Sequence, residues 1–153
     1  MQVLLYQGLS FVSRLIKGQT RSIYSHAAIR LLDGTVVEAW AGAGVRRIPN
    51  AFFGHKDGTL VDVFHVEGDY DADKVEAFLL SQVGQDYDYW SVARFLTRRR
   101  SPANDKWFCS ELAVEAFRQG GLSLLNGPPS MHSPRDVALS PLLRKITTLG
   151  GSG

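Results

Sequence analysis

The chain has 153 residues, of which 44% are hydrophobic and 21% charged, and its formal net charge is +2. This composition is typical of a globular protein, and the length suffices for one domain with a substantial core. The small net charge gives no electrostatic reason to expect nucleic-acid binding, and the single cysteine excludes an intrachain disulfide and a cysteine-rich zinc site.

The sequence also leads to expectations about targeting and location. The first residues form a short apolar run without a basic leader or a small-residue cleavage site, so we expect no secretory signal. No apolar run approaches the roughly 20 residues that span a bilayer, so we expect no integral membrane segment. A lone cysteine fits a reducing compartment, and we predict a cytoplasmic location. Residues 150–153, Gly-Gly-Ser-Gly, predict a flexible tail after one domain of residues 1–149.

The first half of the chain is rich in predicted strands. Apolar or alternating runs predict strands at residues 2–6, 24–32, 35–40, 45–48 and 60–66, with a short helix at residues 10–17. Asp33-Gly34, between the second and third runs, is a strong hairpin signal. Strands that follow one another this closely favour antiparallel pairing.

The second half is predominantly helical. Asp71 or Asp73 can cap a helix that ends at Gly84, and further helical patterns cover residues 90–100 and 109–119. A Ser-Pro-Arg-Asp sequence at residues 133–136 predicts the start of a short helix, and residues 144–149 predict a last edge strand. Strands first and helices later indicate an α+β fold, with a small antiparallel sheet packed against helices.

Cys109 lies where the third long helical pattern begins, in Trp-Phe-Cys-Ser-Glu-Leu. The first turn of a helix presents unpaired N–H groups and a partial positive charge, which favour a thiolate and can receive an oxyanion. A buried cysteine is more often a small hydrophobic side chain, and Ser110 is an alternative nucleophile. A catalytic role therefore requires a base and a group that orients it.

Four histidines are candidates for the base. His55 in Gly-His-Lys-Asp-Gly is predicted to lie in an exposed loop, His132 precedes Ser-Pro in another loop, and His65 alternates within a strand, where a structural role is expected. His26 opens a strand among small residues that leave room for another element. Glu38, between valines and a tryptophan, is the candidate orienting group; the alternative is a glutamate that faces water on an edge strand.

The hairpin length decides whether His26 and Glu38 can meet. A two-residue turn at Asp33-Gly34 would pair Ile29 with Glu38 and put the two candidates on opposite faces. A three-residue loop, Leu32-Asp33-Gly34, would pair Ala28 with Glu38 and put His26 on the same face as Glu38. A catalytic role therefore predicts an odd-length loop or a bulge. A metal site of His26, Glu38 and another histidine is a poor alternative, because the HExxH helical spacing is absent and two ligands on a hairpin do not make a site.

Together, these motifs resemble the circularly permuted, papain-like NlpC superfamily, in the branch of YiiX-like proteins and lecithin–retinol acyltransferase. The matching segments are Tyr-Ser-His-Ala-Ala-Ile at 24–29, Val-Glu-Ala at 37–39, Gly-Gln-Asp-Tyr at 84–87 and Phe-Cys-Ser-Glu-Leu at 108–112. The histidine precedes the cysteine, as in that branch. The resemblance implies a nucleophilic Cys109, a basic His26, an orienting Glu38, and Tyr87 beside the site as a substrate or oxyanion contact.

The resemblance also implies a function. We expect a cysteine hydrolase of the amidase or peptidase type that cleaves an amide or ester through a thioester, without a metal or other cofactor. The substrate would be a small molecule, a peptide or a lipid. The alternatives are an acyltransferase acting on lipid-type acyl groups, and a catalytically silent binding or accessory module of the same fold. The signal, lipid-attachment and membrane-anchor segments of many relatives are not seen in this sequence.

Overall fold

The fold is an antiparallel sheet with helices packed on one face. The computed structural model describes residues 1–9, 21–40, 42–86 and 109–150. Its strands are β1 (Gln2–Gln7), β2 (His26–Arg30), β3 (Val36–Trp40), β4 (Gly44–Ile48), β5 (Leu60–Val66) and β6 (Leu143–Gly150). Its α-helices are α1 (Ala72–Gln82), α2 (Cys109–Gln119) and α3 (Pro134–Ala138), with a 3₁₀ turn at Pro129–Met131.

The six strands form one sheet in the order β4-β3-β2-β1-β5-β6, and every neighbouring pair is antiparallel. The first and last thirds of the chain are joined in the sheet because β1 lies between β2 and β5, and β6 pairs with β5. The predicted antiparallel α+β fold is confirmed at this level. Gly150 pairs with Leu60 as part of β6, so the prediction that residue 150 belongs to the tail is wrong.

The sheet has an apolar core on each face. Helix α2 packs on β2 and β3 and against α1, and its buried side chains join the larger core, which includes Val3, Leu5, Ala27, Ile29, Val37, Leu112 and Phe117. The opposite face has a smaller core, which includes Leu4, Tyr6, Ala28, Val36, Ile48 and Ala51. Residues that alternate along each strand therefore serve two different environments.

Local sequence signals explain where the helices begin. Asp71 caps α1, because its side chain accepts a hydrogen bond from the backbone N–H of Lys74 at 3.1 Å. Ser133 caps α3 in a reciprocal capping box with Asp136, and Pro134 occupies the first turn. The predicted helices at residues 10–17 and 90–100 lie outside the described residues. Within the described ranges, every helix falls short of the length and apolarity that a membrane crossing requires.

Candidate active site

The hairpin between β2 and β3 aligns His26 with Glu38. Leu31 and Thr35 are hydrogen-bonded across the loop, the backbone of Gly34 has φ +86°, and Ala28 pairs with Glu38. The loop therefore has three residues, with a glycine at the left-handed position that such loops require. The predicted odd-length loop is confirmed, and His26 and Glu38 lie on the same face of the sheet one pair apart.

Glu38 is the centre of a buried polar cluster. Its side chain has no exposure to solvent, so the alternative in which Glu38 faces water on an edge strand is wrong. Nε2 of His26 lies 2.7 Å from Oε2, and an ionised carboxylate can only accept, so the imidazole donates. Arg46, directly opposite on β4, donates to Oε1 from Nε at 2.8 Å and from Nη2 at 2.7 Å.

His55 is a second histidine bound to the same carboxylate. Its Nε2 lies 3.1 Å from Oε2 of Glu38, and its side chain is 6% exposed. The prediction that His55 lies in an exposed loop is therefore wrong, because the segment after β4 folds back over the smaller core. His65 is exposed on β5, contrary to the structural role expected for it.

Cys109 is the first residue of α2 and is 2% exposed. Its side chain lies close enough to the ring of His26 to raise the pKa of that imidazole. Nε2 of the same ring is engaged by Glu38. The fold therefore brings together the cysteine at the N-terminus of α2, the imidazole of His26 and the buried carboxylate of Glu38.

Burial and neighbouring charges shift the pKa values of His26, Glu38 and His55. Burial lowers the pKa of His26, but the charge and hydrogen bond of Cys109, with those of Glu38, raise it to about 10. Burial raises the pKa of Glu38, but hydrogen bonds from His26 and His55 and their charges hold it below its usual range. Burial lowers the pKa of His55 and outweighs its hydrogen bond to Glu38. These shifts favour the charged forms of His26 and Glu38 and the uncharged form of His55.

Aromatic rings surround the two imidazoles. The Tyr6 ring stacks on His55 with centroids 4.3 Å apart and meets His26 edge-on at 5.1 Å. Trp40 contacts both imidazoles edge-on. The guanidinium carbon of Arg46 lies over the Trp40 ring, 4.2 Å from the centroid of that ring. These rings restrict the orientation of both histidines and reduce the access of water to the cluster.

Three donor groups of the cluster have the chemistry of metal ligands. One nitrogen each from His26 and His55 and one oxygen from Glu38 all lie within 4.8 Å of one another. Two histidines and a glutamate are also the protein ligands of some catalytic zinc sites. The cluster can therefore be interpreted both as part of a nucleophile system and as a metal centre.

Comparison with known proteins identifies the fold. No family model matches the sequence, and no curated protein does either. The crystal structure of YiiX from Escherichia coli O157:H7, described as a metalloprotein, matches with a TM-score of 0.71. The match covers 97% of this chain and 96% of YiiX, at 19% sequence identity. The chain has the fold of YiiX. At this identity the likeness to YiiX is one of fold and not of chemistry.

Ser110 and Tyr87, the two remaining candidate residues, have different outcomes. Ser110 is buried and donates from its hydroxyl to the carbonyl oxygen of His132 at 2.6 Å, so its side chain is engaged with the backbone. Tyr87 lies outside the described residues, although the preceding Gln85 lies against β4, where its carbonyl accepts from the N–H of Val45 at 2.7 Å.

Sequence reasoning missed three members of the cluster: Tyr6, Arg46 and His55. Tyr6 and Arg46 alternate within strands, and only the strand register shows that they share a face with Glu38. Ala28 pairs with Glu38, and Glu38 pairs with Arg46. The lengths of the two successive hairpins could therefore have identified Arg46 from the sequence. No comparable local signal exists for His55, which reaches the site through a loop.

Proposed function

We propose that this chain is a cysteine hydrolase of the amidase or peptidase type, with Cys109 as nucleophile, His26 as base and Glu38 as the orienting residue. The observation that supports the proposal is the 2.7 Å hydrogen bond between His26 and the buried carboxylate of Glu38, with Cys109 near the same imidazole at the start of α2. The substrate class is an amide or ester of a small molecule, peptide or lipid. Tyr87 is the proposed substrate or oxyanion contact.

The chemistry follows from the charges of the three residues. The thiolate of Cys109 attacks the substrate carbonyl carbon, and the N–H groups at the start of α2 receive the developing oxyanion. His26 donates its proton to the leaving amine or alcohol as the carbon–heteroatom bond breaks, which leaves a thioester on Cys109. Neutral His26 then takes a proton from water, the oxygen of which attacks the thioester and releases the acid and the thiolate.

The acceptor in the second step separates the alternatives. With water the protein is a hydrolase, and with a lipid amine or alcohol it is an acyltransferase. A binding or accessory module of the same fold would carry out neither step. p-Nitrophenyl acetate with and without added amines distinguishes the three, because a transferase forms the amide product, a hydrolase forms acetate, and a silent module leaves the ester at its uncatalysed rate.

The pH dependence of Cys109 alkylation by iodoacetamide tests the proposed pair. The chain has a single cysteine, so the mass of the intact protein reports on Cys109 alone. Wild type is expected to react well below pH 7, and His26→Ala to shift the reaction midpoint toward the value of about 8.5 that an ordinary thiol shows. Slow and equal reaction of both proteins would contradict the proposal and favour the silent module.

A metal centre is a second candidate, favoured by the cluster of His26, Glu38 and His55 and by the description of YiiX as a metalloprotein. The donor set fits a divalent transition ion, which would supply Lewis acidity. Ligands of one tetrahedral zinc lie roughly 3.4 Å apart, given bonds of about 2.0–2.1 Å. The separations of 2.7 and 3.1 Å in the cluster are those of hydrogen bonds, so the residues must move apart to hold an ion.

His55→Ala separates the two candidates, because the cysteine mechanism uses His55 for neither nucleophile nor base. If the cluster is a metal centre, His55→Ala loses zinc in equilibrium dialysis, while the exposed His65→Ala binds as wild type does. If the cluster orients a nucleophile, neither variant differs from wild type in zinc content, and the alkylation profile of His55→Ala stays close to that of wild type.

A further inference from the structure

Glu38 is a completely buried carboxylate, and Arg46 is the permanently charged group that faces it. Isolated burial of a carboxylate is costly, and a paired guanidinium offsets that cost. The two residues are directly opposite each other on β3 and β4, and their ion pair is 2.7 Å long. Arg46 thereby balances the charge of Glu38.

The geometry of the ion pair is selective between the two carboxylate oxygens. Both Nε and Nη2 of Arg46 donate to Oε1, at 2.8 and 2.7 Å. The two imidazoles donate to the other oxygen, Oε2. Because Oε1 is fully engaged, rotation of the carboxylate would break two charge-assisted hydrogen bonds, and Oε2 is held toward Nε2 of His26.

Arg46 is itself fixed in place. Its guanidinium lies over the ring of Trp40, and Nη2 approaches the carbonyl oxygen of Phe53 at 3.5 Å. A side chain at Gly54 would meet the guanidinium at 3.2 Å, so the loop after β4 also closes around it. Trp40 contacts the ring of His26 as well, so the guanidinium and the imidazole share one supporting ring.

We propose that Arg46 is a positioning residue for the Cys109–His26 pair, acting through the Oε1 oxygen of Glu38. This proposal rests on the proposed cysteine function. Arg46 touches neither the nucleophile nor the reacting atoms; it sets the orientation and the charge of the carboxylate that holds the imidazole. Residues that orient the ligands of metal sites typically affect activity by about 10- to 100-fold, and we expect an effect of similar size here. A lysine cannot reproduce its role, because an ammonium group lacks the planar pair of donors that both reach Oε1.

Arg47 provides a matched control. It is the next residue of β4, faces the opposite side of the strand, and pairs with the exposed Asp33 of the hairpin loop. Arg46→Gln and Arg47→Gln remove the same charge from the same strand, so any effect of net charge or of strand propensity is common to both variants. Arg46→Lys retains the charge and removes only the double contact with Oε1.

The experiment is iodoacetamide alkylation of Cys109 from pH 5 to pH 9, in full-length protein dialysed against EDTA. Thermal melting of each variant confirms that it is folded. The proposal expects Arg46→Gln to react on the order of tenfold more slowly than wild type at pH 6, with its profile displaced toward that of an ordinary thiol. Arg46→Lys is expected to lie between the two, and Arg47→Gln to follow wild type.

Each other outcome is decisive. If wild type shows an activated thiol that depends on His26 while Arg46→Gln and Arg46→Lys retain its profile, the role of Arg46 is wrong and the proposed function stands. If wild type shows no activated thiol, the proposed function fails and the role of Arg46 fails with it. If Arg46→Gln does not fold, the profile of Arg46→Lys decides between a positioning role and a structural one.

Discussion

Nε2 of His26 and Oε2 of Glu38 lie 2.7 Å apart, and the carboxylate in this pair is wholly removed from solvent. A buried carboxylate in a charge-assisted hydrogen bond remains ionised at a pH at which it would be protonated in the unfolded chain. The pair therefore contributes to stability as well as to the site, and its contribution depends on pH.

The first prediction concerns the decrease in the free energy of unfolding as the pH falls below neutrality. Hydrogen bonds from the two imidazoles outweigh burial and lower the pKa of Glu38 in the folded protein. The unfolded chain therefore binds more protons near its own glutamate pKa of about 4.3, so this stabilisation is present above that pH and is lost as the pH falls. Glu38→Gln is expected to flatten the acid limb and to cost about 3 kcal/mol at pH 7, because Arg46 loses its partner.

Urea unfolding from pH 3 to pH 7 measures this limb, with Glu76→Gln on helix α1 as a control that removes a glutamate outside the cluster. The difference in free energy of unfolding between wild type and Glu38→Gln should grow as the pH rises from 3 to 6. A difference that is constant over this range would show that the ionisation of Glu38 is not coupled to folding.

The second prediction is that removal of the Tyr6 hydroxyl stabilises the protein, whereas Glu38→Gln destabilises it. The hydroxyl is buried and has no hydrogen-bond partner within the described parts of the chain, although the Tyr6 ring stacks on His55. Tyr6→Phe keeps the ring and removes the unsatisfied group, so it should raise the free energy of unfolding by about 1 kcal/mol. Tyr24→Phe is the control, because the Tyr24 hydroxyl donates to the buried Asp62 at 2.6 Å and its removal should destabilise. If chemical denaturation shows that both variants are less stable than wild type, the Tyr6 hydroxyl makes a stabilising hydrogen bond and the prediction is wrong.

The elements that rest on local signals were predictable from sequence. The cap at Asp71, the run of β5 and the glycine-containing hairpin each depend on neighbouring residues, and each lies where it was expected. The polar cluster depends on more distant relationships. Arg46 and Arg47 are adjacent arginines on one strand, and only the register of β4 against β3 shows which of them faces Glu38.

The position of His55 illustrates the limit of sequence reasoning. Glycine and charged residues on both sides of it are typical of an exposed loop, and its neighbours Phe53 and Gly54 are indeed exposed. The loop is nevertheless held down by Ala51, which is buried in the smaller core, and by the stacking of the His55 ring on Tyr6. Contact between residues this far apart in the chain follows from the folded sheet, and no periodicity in the loop encodes it.

Two glycines with positive φ predict different costs for the same substitution. Gly34 has φ +86° and open space around it, whereas Gly44 has φ +70° and a side-chain carbon there would lie 2.1 Å from the carbonyl oxygen of Gln85. Gly34→Ala should cost about 1 kcal/mol, which reflects backbone strain alone. Gly44→Ala should cost roughly 1–3 kcal/mol more, because the turn against β4 must move. Equal melting temperatures for the two variants would contradict the close approach of Gln85 to β4.

Ser110 provides the last prediction, because it is the alternative nucleophile beside Cys109. Its hydroxyl donates to the carbonyl oxygen of His132 at 2.6 Å, and the ring of His26 is hydrogen-bonded to Glu38. Ser110→Ala should therefore lose about 1 kcal/mol of stability while the alkylation profile of Cys109 stays that of wild type. Intact-protein mass spectrometry after brief exposure to p-nitrophenyl acetate should show an acyl group on Ser110→Ala and none on Cys109→Ala. Acylation of Cys109→Ala but not of Ser110→Ala would assign the nucleophile to the serine, and the thiol would then be part of the core.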